Sequence, residues 1–276
     1  MTDVKHDLVA ELVDSGLGAR EARWLVDEFV SGDELDNLST LYAAAQRRRD
    51  GEPIQYVIGH WPFRSLDLNV DPRVLIPRPE TEELVGIAMS ELAKSNVRAP
   101  VIMDLGCGSG AIGLAMISEL AARGVAATLI AVDESSDALN VARENAIKHD
   151  LHAVSFVQSS WFEDLDVSLR GRVDLLAANP PYVGAVEFEG LEDVLRYEPL
   201  SAIVAPDVQG IVGFEDLDVI ISGAPEWLSS GGTLICEHSN VHRAAALDAA
   251  KKAGFNSVHD LDDMAGHPRI LVARRT

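Results

Sequence analysis

The second part of the chain alternates between short apolar runs and helical patterns, and this alternation constrains the fold more than any other feature. Five apolar runs of strand length lie at 101–104, 128–133, 154–158, 173–179 and 233–238. Strands that alternate with helices form a parallel sheet covered on both faces. Two further runs, at 254–258 and 269–273, close the chain. The sequence therefore predicts an α/β fold with a mostly parallel, Rossmann-like sheet over residues 76–276.

Residues 1–75 follow different periods. Residues 1–50 have apolar positions at helical spacing, so we expect a small helical domain there. From Pro53 the period changes to two, with one alternating run at 54–58 before Gly59 and another at 66–70 after it. This pattern predicts a β-hairpin, or a pair of strands, that links the two domains across residues 51–75.

Charge and composition exclude several classes of protein. The chain has 276 residues, with 23 Lys and Arg against 44 Asp and Glu, and a net charge of −21. Such a surface repels phosphate backbones, so we expect no direct nucleic-acid partner. The N-terminus lacks the basic and apolar regions of a signal peptide, and no apolar stretch is long enough to span a bilayer. Two cysteines, Cys107 and Cys236, cannot form a disulfide framework. We therefore expect a soluble, cytoplasmic monomer that does not bind a membrane.

The most informative segment is a strand that runs directly into glycines and then into a helix. Its glycines at positions 108, 110 and 113 fit the G-x-G-x-x-G pattern of dinucleotide-binding loops, but this match is weak by itself. Asp104 precedes the loop, where it can face a ligand's ammonium group directly or through water, and Asp133 ends the next strand, where it can hold two ribose hydroxyls. These two acids favour S-adenosylmethionine over a pyrophosphate. The alternative is structural, with Asp104 capping the following turn and Asp133 the next helix.

The predicted fourth strand ends in a proline motif, Asn179-Pro180-Pro181-Tyr182. Two prolines cannot continue a sheet ladder, so the chain turns out at the carboxyl edge of the sheet, where ligands bind. A planar nitrogen is a poor nucleophile because its lone pair is delocalised. The Asn179 oxygen and the Pro180 carbonyl can each accept one N–H of a target –NH₂ group, and Tyr182 offers it a flat face. The motif indicates methyl transfer to such a nitrogen by positioning; the alternative is a turn with a packed tyrosine.

Two other signals are weaker. Trp161 follows the third predicted strand and either flanks an adenine ring or packs in the core. His238 and His242 are four residues apart, but no third ligand is evident, so we expect no metal.

With these motifs in place, the chain resembles the class I methyltransferases that act on –NH₂ groups, and more closely the peptide-chain release factor glutamine methyltransferases, the PrmC/HemK family. Three further segments carry the closer resemblance. They are Arg47-Arg48-Arg49-Asp50-Gly51-Glu52-Pro53, Leu75-Ile76-Pro77-Arg78-Pro79-Glu80-Thr81-Glu82 and Tyr197-Glu198-Pro199. The chain departs from the family in its short helical region and in Ser239 to His242, where the family usually has a glycine and a glutamine.

The resemblance implies N5-methylation of the glutamine in the Gly-Gly-Gln motif of release factors, with S-adenosylmethionine as the cofactor. It implies a substrate-docking role for residues 1–50. The residues that would hold the cofactor, together with Asp104, are Gly106, Cys107, Gly108, Ser109, Gly110, Asp133, Trp161 and Asn179. Those that would hold the glutamine are Asn179, Pro180, Pro181 and Tyr182, of which Asn179, Pro180 and Tyr182 would be catalytic.

Two alternatives remain at this point. A nucleic-acid methyltransferase could use the same motif on adenine N6 or guanine N2, but it would need a basic channel. Residues 1–75 have 14 acids against 8 Lys and Arg, and residues 76–276 have 30 against 15, so neither part is basic. A binding module that has lost turnover is the second alternative, and intact Asp104, Asp133 and Asn179 argue against it.

Overall fold

The computed structural model describes residues 2–30, 38–190 and 193–276. Within these ranges the chain forms ten α-helices, nine β-strands and several short 3₁₀ segments. The helices are α1 (Thr2–Asp14), α2 (Ala19–Phe29), α3 (Leu38–Arg49), α4 (Ile54–Ile58), α5 (Pro79–Ser95), α6 (Ala111–Ala122), α7 (Ser136–Lys148), α8 (Ala185–Phe188), α9 (Glu215–Trp227) and α10 (Arg243–Lys252). The strands are β1 (His60–Phe63), β2 (Leu66–Asn69), β3 (Val101–Leu105), β4 (Thr128–Asp133), β5 (Val154–Gln158), β6 (Val173–Ala178), β7 (Leu228–Glu237), β8 (Ser257–Asp262) and β9 (Pro268–Arg274). None of the helices in the described part of the chain is both long and apolar enough to cross a bilayer.

A seven-stranded sheet forms the centre of the larger domain. Its strand order is β5-β4-β3-β6-β7-β9-β8. The first five strands are parallel, and β9 runs antiparallel to both β7 and β8. The predicted α/β class with a mostly parallel sheet is therefore confirmed.

The strand order reverses between β3 and β6. From β3 the chain builds β4 and β5 on one side, and then crosses to the other side to form β6 and β7. Leu105, the last residue of β3, pairs in register with Ala178, the last residue of β6. Ligands of open α/β sheets bind at such a switch point, outside the carboxyl ends of the strands. The glycine loop and Asn179 therefore leave the sheet side by side.

Helices cover both faces of the sheet because alternate strand residues point to opposite sides. Ile102 of β3 packs in the cluster formed with α5 and α6, whereas its neighbour Met103 packs with α9. Gly113 lets α6 approach the strands closely: a Cβ atom at this position would lie 2.7 Å from a Leu129 methyl carbon and 2.9 Å from Asp104 Oδ2.

The predicted strand at 54–58 is wrong, since these residues form the helix α4. Pro53 precedes the helix, and Gly59 ends it in the left-handed region with φ of +88°. Ile54 and Val57 pack into the core of the N-terminal helices, while Tyr56 is buried in a separate cluster with residues of the following loop. The apolar residues of this short helix therefore face two different cores, and their sequence has the same alternating pattern as a strand. The hairpin itself exists, formed by β1 and β2 after Gly59.

The N-terminal helices contact the hairpin through aromatic and charged side chains. The rings of Trp24 and Trp61 meet edge to face with centroids 5.3 Å apart. His60 lies between Glu28 of α2, at 3.0 Å, and Asp67 of β2, at 2.6 Å. Burial alone would lower the pKa of His60, but hydrogen bonds to these carboxylates raise it above its ordinary value.

Candidate active site

Two adjoining cavities open at the carboxyl edge of the sheet, where β3 and β6 end. The larger measures about 260 Å³ and the smaller about 190 Å³. The predicted site residues that line the larger cavity are Gly106, Gly108, Asp133, Trp161, Asn179 and Pro181. Those that line the smaller cavity are Asn179, Pro180, Pro181 and Tyr182. Asn179 and Pro181 thus border both cavities.

The glycine loop forms one wall of the larger cavity. Gly106 has φ of +69°, a conformation that glycine adopts at little cost, and a Cβ atom there would lie 3.3 Å from the Trp161 ring. Trp161 borders the cavity and donates from Nε1 to Asp216 at 2.9 Å. The ring also packs against the core cluster beneath α9, so the two roles expected for it are compatible in this geometry.

Asp133 lies in the wall of the larger cavity and holds the loop in place. Its Oδ2 accepts from the Gly108 N–H and its Oδ1 from the Ser135 N–H, each at 2.9 Å. Helix α7 is capped by the Ser135 side chain and not by Asp133. Burial raises the pKa of Asp133, and the two N–H donors oppose that shift. Each carboxylate oxygen has a second lone pair, so both remain available to a pair of hydroxyls.

Asp104 lies beneath the glycine loop rather than in the cavity wall. The residue is fully buried, and its Oδ2 accepts from the Gly113 N–H at 2.8 Å, as the capping alternative expects. Its Oδ1 is buried without a hydrogen-bond partner. Burial raises the pKa of Asp104 to about 7. A positive ligand above the loop would favour the ionised form, and the depth of Asp104 fits an indirect contact better than a direct one.

The charge of the larger cavity fits S-adenosylmethionine. The carboxylates of Asp133, Glu134 and Asp216 line it, against a single guanidinium, that of Arg73. Arg73 in turn binds Asp71 at 2.6 Å. S-adenosylmethionine has a sulfonium and an ammonium group against one carboxylate, whereas a dinucleotide brings a pyrophosphate. Together with the unpaired buried oxygen of Asp104, this acidic lining matches a cationic ligand.

The remaining loop residues have supporting positions. Cys107, Ser109 and Gly110 are buried and do not border the larger cavity. Burial raises the pKa of the Cys107 thiol well above its ordinary value, which leaves it protonated and a poor nucleophile. The Ser109 carbonyl accepts from Nδ2 of the fully buried Asn145 at 2.9 Å. No motif in the sequence pointed to Asn145, which also joins the backbone of Asn69 in the hairpin.

The Asn179 side chain is held by a buried chain of hydrogen bonds. Its Nδ2 donates to Thr81 Oγ1 at 3.2 Å, and Thr81 Oγ1 donates to Glu237 Oε2 at 2.8 Å. On the other side of the carboxylate, Tyr182 donates to Glu237 Oε1 at 3.3 Å. Burial raises the pKa of Glu237 and also that of Tyr182.

Sequence reasoning did not assign Thr81 or Glu237 to the site. Thr81 stands in a motif that supported the family resemblance, in the first turn of α5. Glu237 ends β7, and its neighbour Cys236 pairs in register with Ala178, which precedes Asn179. The carboxyl ends of neighbouring parallel strands meet, so a polar residue at the end of the next strand was the signal that could have identified Glu237.

The three segments that carried the resemblance meet beside the smaller cavity. Arg78 lines this cavity and binds the buried Glu198 at 2.5 Å. Glu198 also accepts from the Ile76 N–H at 2.9 Å. The preceding residue, Tyr197, donates from its hydroxyl to the Asp50 carbonyl at the end of α3, at 3.0 Å. These bonds connect the helical domain, the loop before α5 and the rim of the smaller cavity.

The histidine pair does not form a common site. Nε2 of His238 binds Asp260 at 2.5 Å, whereas Nε2 of His242 binds the Val212 carbonyl at 2.7 Å. In the part of the chain that the structure describes, no group of three or more His, Cys, Asp or Glu side chains is placed to hold a metal ion.

Comparison with known proteins gives a consistent result. Residues 97–267 match a family described as a methyltransferase domain. The chain is 42% identical to the release factor glutamine methyltransferase of Haemophilus influenzae, with 84% of this chain and 79% of that one covered. It is 40% identical to the protein of the same name from Yersinia pestis, over 89% of this chain and 82% of that one.

Solved structures show likeness of fold. A ribosomal protein methylase from Lactobacillus delbrueckii subsp. bulgaricus superposes with a TM-score of 0.51 at 20% identity, over 75% of this chain and 84% of that one. An rRNA methyltransferase of T. Thermophilus gives a TM-score of 0.56 at 16% identity, over 79% of this chain and 50% of that one. At such low identity the similarity extends to the fold alone.

Proposed function

The chain belongs to the release factor glutamine methyltransferases, and we propose that its two adjoining cavities hold the methyl donor and the glutamine side chain of a Gly-Gly-Gln motif. The reaction transfers a methyl group from S-adenosylmethionine to the side-chain amide nitrogen of a release factor glutamine. The larger cavity takes the cofactor and the smaller one takes the glutamine.

On the cofactor side, the chain supplies orientation and charge. When bound, S-adenosylmethionine supplies an electrophilic methyl group on a positively charged sulfur. Asp133 would accept hydrogen bonds from the two ribose hydroxyls, and Trp161 would cover the adenine ring. The backbone of Gly106 and Gly108 allows close approach, while Asp104 beneath the loop contributes negative charge.

On the acceptor side, the chain compensates for a weak nucleophile by positioning it. The lone pair of an amide nitrogen is delocalised, so the nitrogen must be held with that lone pair directed at the methyl group. The Asn179 oxygen and the Pro180 carbonyl accept the two N–H groups of the glutamine. Tyr182 packs against its planar carboxamide. As the N–C bond forms, the methyl C–S bond would break and S-adenosylhomocysteine would leave, and the nitrogen would then lose one N–H proton to solvent. This arrangement needs no general base to generate a nucleophile.

One observation supports this proposal most strongly. Asn179 borders both cavities, and its Nδ2 is already committed to Thr81. Its oxygen is therefore the atom left to accept a hydrogen bond from the target, as methyl transfer to an –NH₂ group requires.

The identity of the relatives favours a protein acceptor over a nucleic acid, and the net charge of −21 agrees with that choice. We propose that residues 1–50 provide a second surface for the folded release factor. We further propose that the enzyme acts as a monomer, in the cytoplasm where release factors work.

The test compares three acceptors at one salt concentration with tritiated S-adenosylmethionine: intact release factor, a Gly-Gly-Gln peptide and structured RNA. Intact release factor should give by far the highest kcat/KM, because a flexible peptide loses entropy on binding and lacks distant contacts. Mass spectrometry should place the methyl group on the glutamine side chain. Label on RNA and on neither protein acceptor would instead identify a nucleic-acid methyltransferase.

A further inference from the structure

We propose that Thr81 and Glu237 are positioning residues that fix which way the Asn179 amide faces, so that its oxygen and not its –NH₂ group points to the acceptor. This inference rests on the proposed function, because it concerns the same acceptor cavity. An asparagine amide has an acceptor on one side and two donors on the other, and the two orientations have nearly the same shape. Something outside the cavity must therefore select one of them.

Only one orientation of the Asn179 amide completes the hydrogen bonds from Asn179 through Thr81 to Glu237. An ionised carboxylate can only accept, so the Thr81 hydroxyl must direct its single hydrogen to Glu237. The Thr81 oxygen then has only lone pairs left to offer, and only the Asn179 –NH₂ group can fill them. With the amide reversed, the Asn179 oxygen would face the Thr81 oxygen without a hydrogen between them. The ionised carboxylate of Glu237 therefore fixes the orientation of the Asn179 amide through the Thr81 hydroxyl.

Burial prevents water from replacing this chain. Thr81 is 4% exposed and Glu237 is 1% exposed. Neither residue lines either cavity, so neither is placed to touch the cofactor or the glutamine. Their effect on the reaction must pass through residues that do, which is why they are positioning residues and not catalytic ones.

Glu237 also supports the opposite wall of the acceptor cavity. Its second oxygen accepts from the Tyr182 hydroxyl, so a single carboxylate restrains both Asn179 and Tyr182. Burial raises the pKa of Glu237, and the hydrogen bond from Thr81, the charge of Arg269 and the hydrogen bond from Tyr182 oppose that shift, while the charge of Glu80 adds to it. The net pKa of Glu237 lies above its ordinary value because burial outweighs the two hydroxyl donors and the guanidinium, so the selection operates at the pH values where the carboxylate is ionised.

The experiment replaces Thr81 in the full-length enzyme and measures methylation of intact release factor. Thr81→Val keeps the shape of the side chain but removes the hydroxyl, whereas Thr81→Ser keeps the hydroxyl. We expect Thr81→Val to lower kcat by about 10- to 100-fold, the range in which misplaced reacting groups fall. The Kd for S-adenosylmethionine and the KM for release factor should stay within about threefold of wild type, since most of their contacts are untouched.

Thr81→Ser decides between orientation and packing. It should retain kcat within about threefold of wild type, because it can donate to Glu237 and accept from Asn179. A Thr81→Val enzyme with wild-type kcat, or a Thr81→Ser enzyme as impaired as Thr81→Val, would overturn the proposal. Thr81→Ala is measured beside them by the same criteria, so that the test stands if the valine variant does not fold. Wild type in the same assay separates the two proposals: failure to modify glutamine there refutes the proposed function, whatever the variants do.

Discussion

Replacing Asp133 by alanine should weaken S-adenosylmethionine binding by an amount that the structure allows to be worked out. Asp133 lies in the wall of the larger cavity with one lone pair on each oxygen free for a ribose hydroxyl. A hydrogen bond to a charged acceptor contributes about 1.5–3 kcal/mol. Loss of one such bond at the lower limit raises Kd about tenfold, and loss of both raises it about 100-fold or more. We therefore expect an increase in Kd of at least about tenfold.

The same substitution also removes the acceptors for the Gly108 and Ser135 N–H groups, so binding could weaken through a disturbed loop. Calorimetry with two ligands separates these causes. The first ligand is S-adenosylmethionine, and the second is an analogue that lacks both ribose hydroxyls. Wild type should bind the analogue more weakly by about the factor that Asp133→Ala costs with the natural cofactor. The variant should bind both ligands with nearly the same affinity.

Three results would refute the reasoning. Unchanged affinity of Asp133→Ala for S-adenosylmethionine would show that Asp133 does not hold the ribose. An equal loss for both ligands would show that the carboxylate acts only on the loop, through the backbone of Gly108. Tighter binding of NAD than of S-adenosylmethionine by wild type would contradict the assignment of the cavity itself.

Three further predictions concern catalysis, stability and pH. Asn179→Ala should retain most of the cofactor affinity but lower kcat by about 100-fold, and a kcat within a few-fold of wild type would contradict the role of the amide. Asn145→Ala should lower the free energy of unfolding, measured in urea, by about 2–4 kcal/mol, because it leaves backbone groups of Asn69 and Ser109 without partners. The control Asn140→Ala, on the exposed face of the same helix, should change it by no more than about 0.5 kcal/mol. The pKa of His60 is raised in the folded state, so its contribution to stability is complete below its unfolded pKa of about 6.5 and is lost as the pH rises through the folded value. Unfolding midpoints of wild type should therefore fall toward those of His60→Gln between neutral and alkaline pH, and a constant difference would contradict this.

Local periodicity predicted the strands well where a strand is buried on both faces. The run at 128–133 coincides with the central strand β4, because nearly continuous apolar sequence leaves little choice of boundary. At the two edges of the sheet the outcome differed: the run at 154–158 coincides with β5, whereas the prediction was poorer at β8. The apolar run at 254–258 only touches the start of β8, whose outer residues are polar and mostly exposed. It failed at 54–58, where two separate cores bury alternate faces of a short helix.

The candidate site divides in a similar way. Residues that stand in a contiguous motif, such as Gly106 or Asn179, could be proposed from the sequence because one segment carries both their chemistry and their position, and the structure places them at the larger cavity. Thr81 and Glu237 are 156 residues apart, so they do not belong to one sequence motif. Their proposed role depends on the hydrogen bond between them, which forms only after the sheet has formed and α5 has packed on it. Sequence can indicate what a motif does, but not which distant residues hold it in place.

The contacts of Tyr197 and Glu198 bear on how the enzyme would recognise a folded substrate. These consecutive residues contact opposite parts of the molecule, since Tyr197 binds the end of the helical domain and Glu198 binds Arg78 at the acceptor cavity. The Glu198 side chain is 2% exposed and that of Arg78 is 31% exposed, so the ion pair is partly shielded from solvent, and the Ile76 N–H binds the same carboxylate. If a release factor binds residues 1–50 as proposed, the Tyr197–Asp50 hydrogen bond and the Arg78–Glu198 ion pair would set its distance from the acceptor cavity. Binding at both surfaces would then favour a glutamine that a folded partner presents at that distance. A short peptide with the same local sequence would contact only the acceptor cavity and would bind less well.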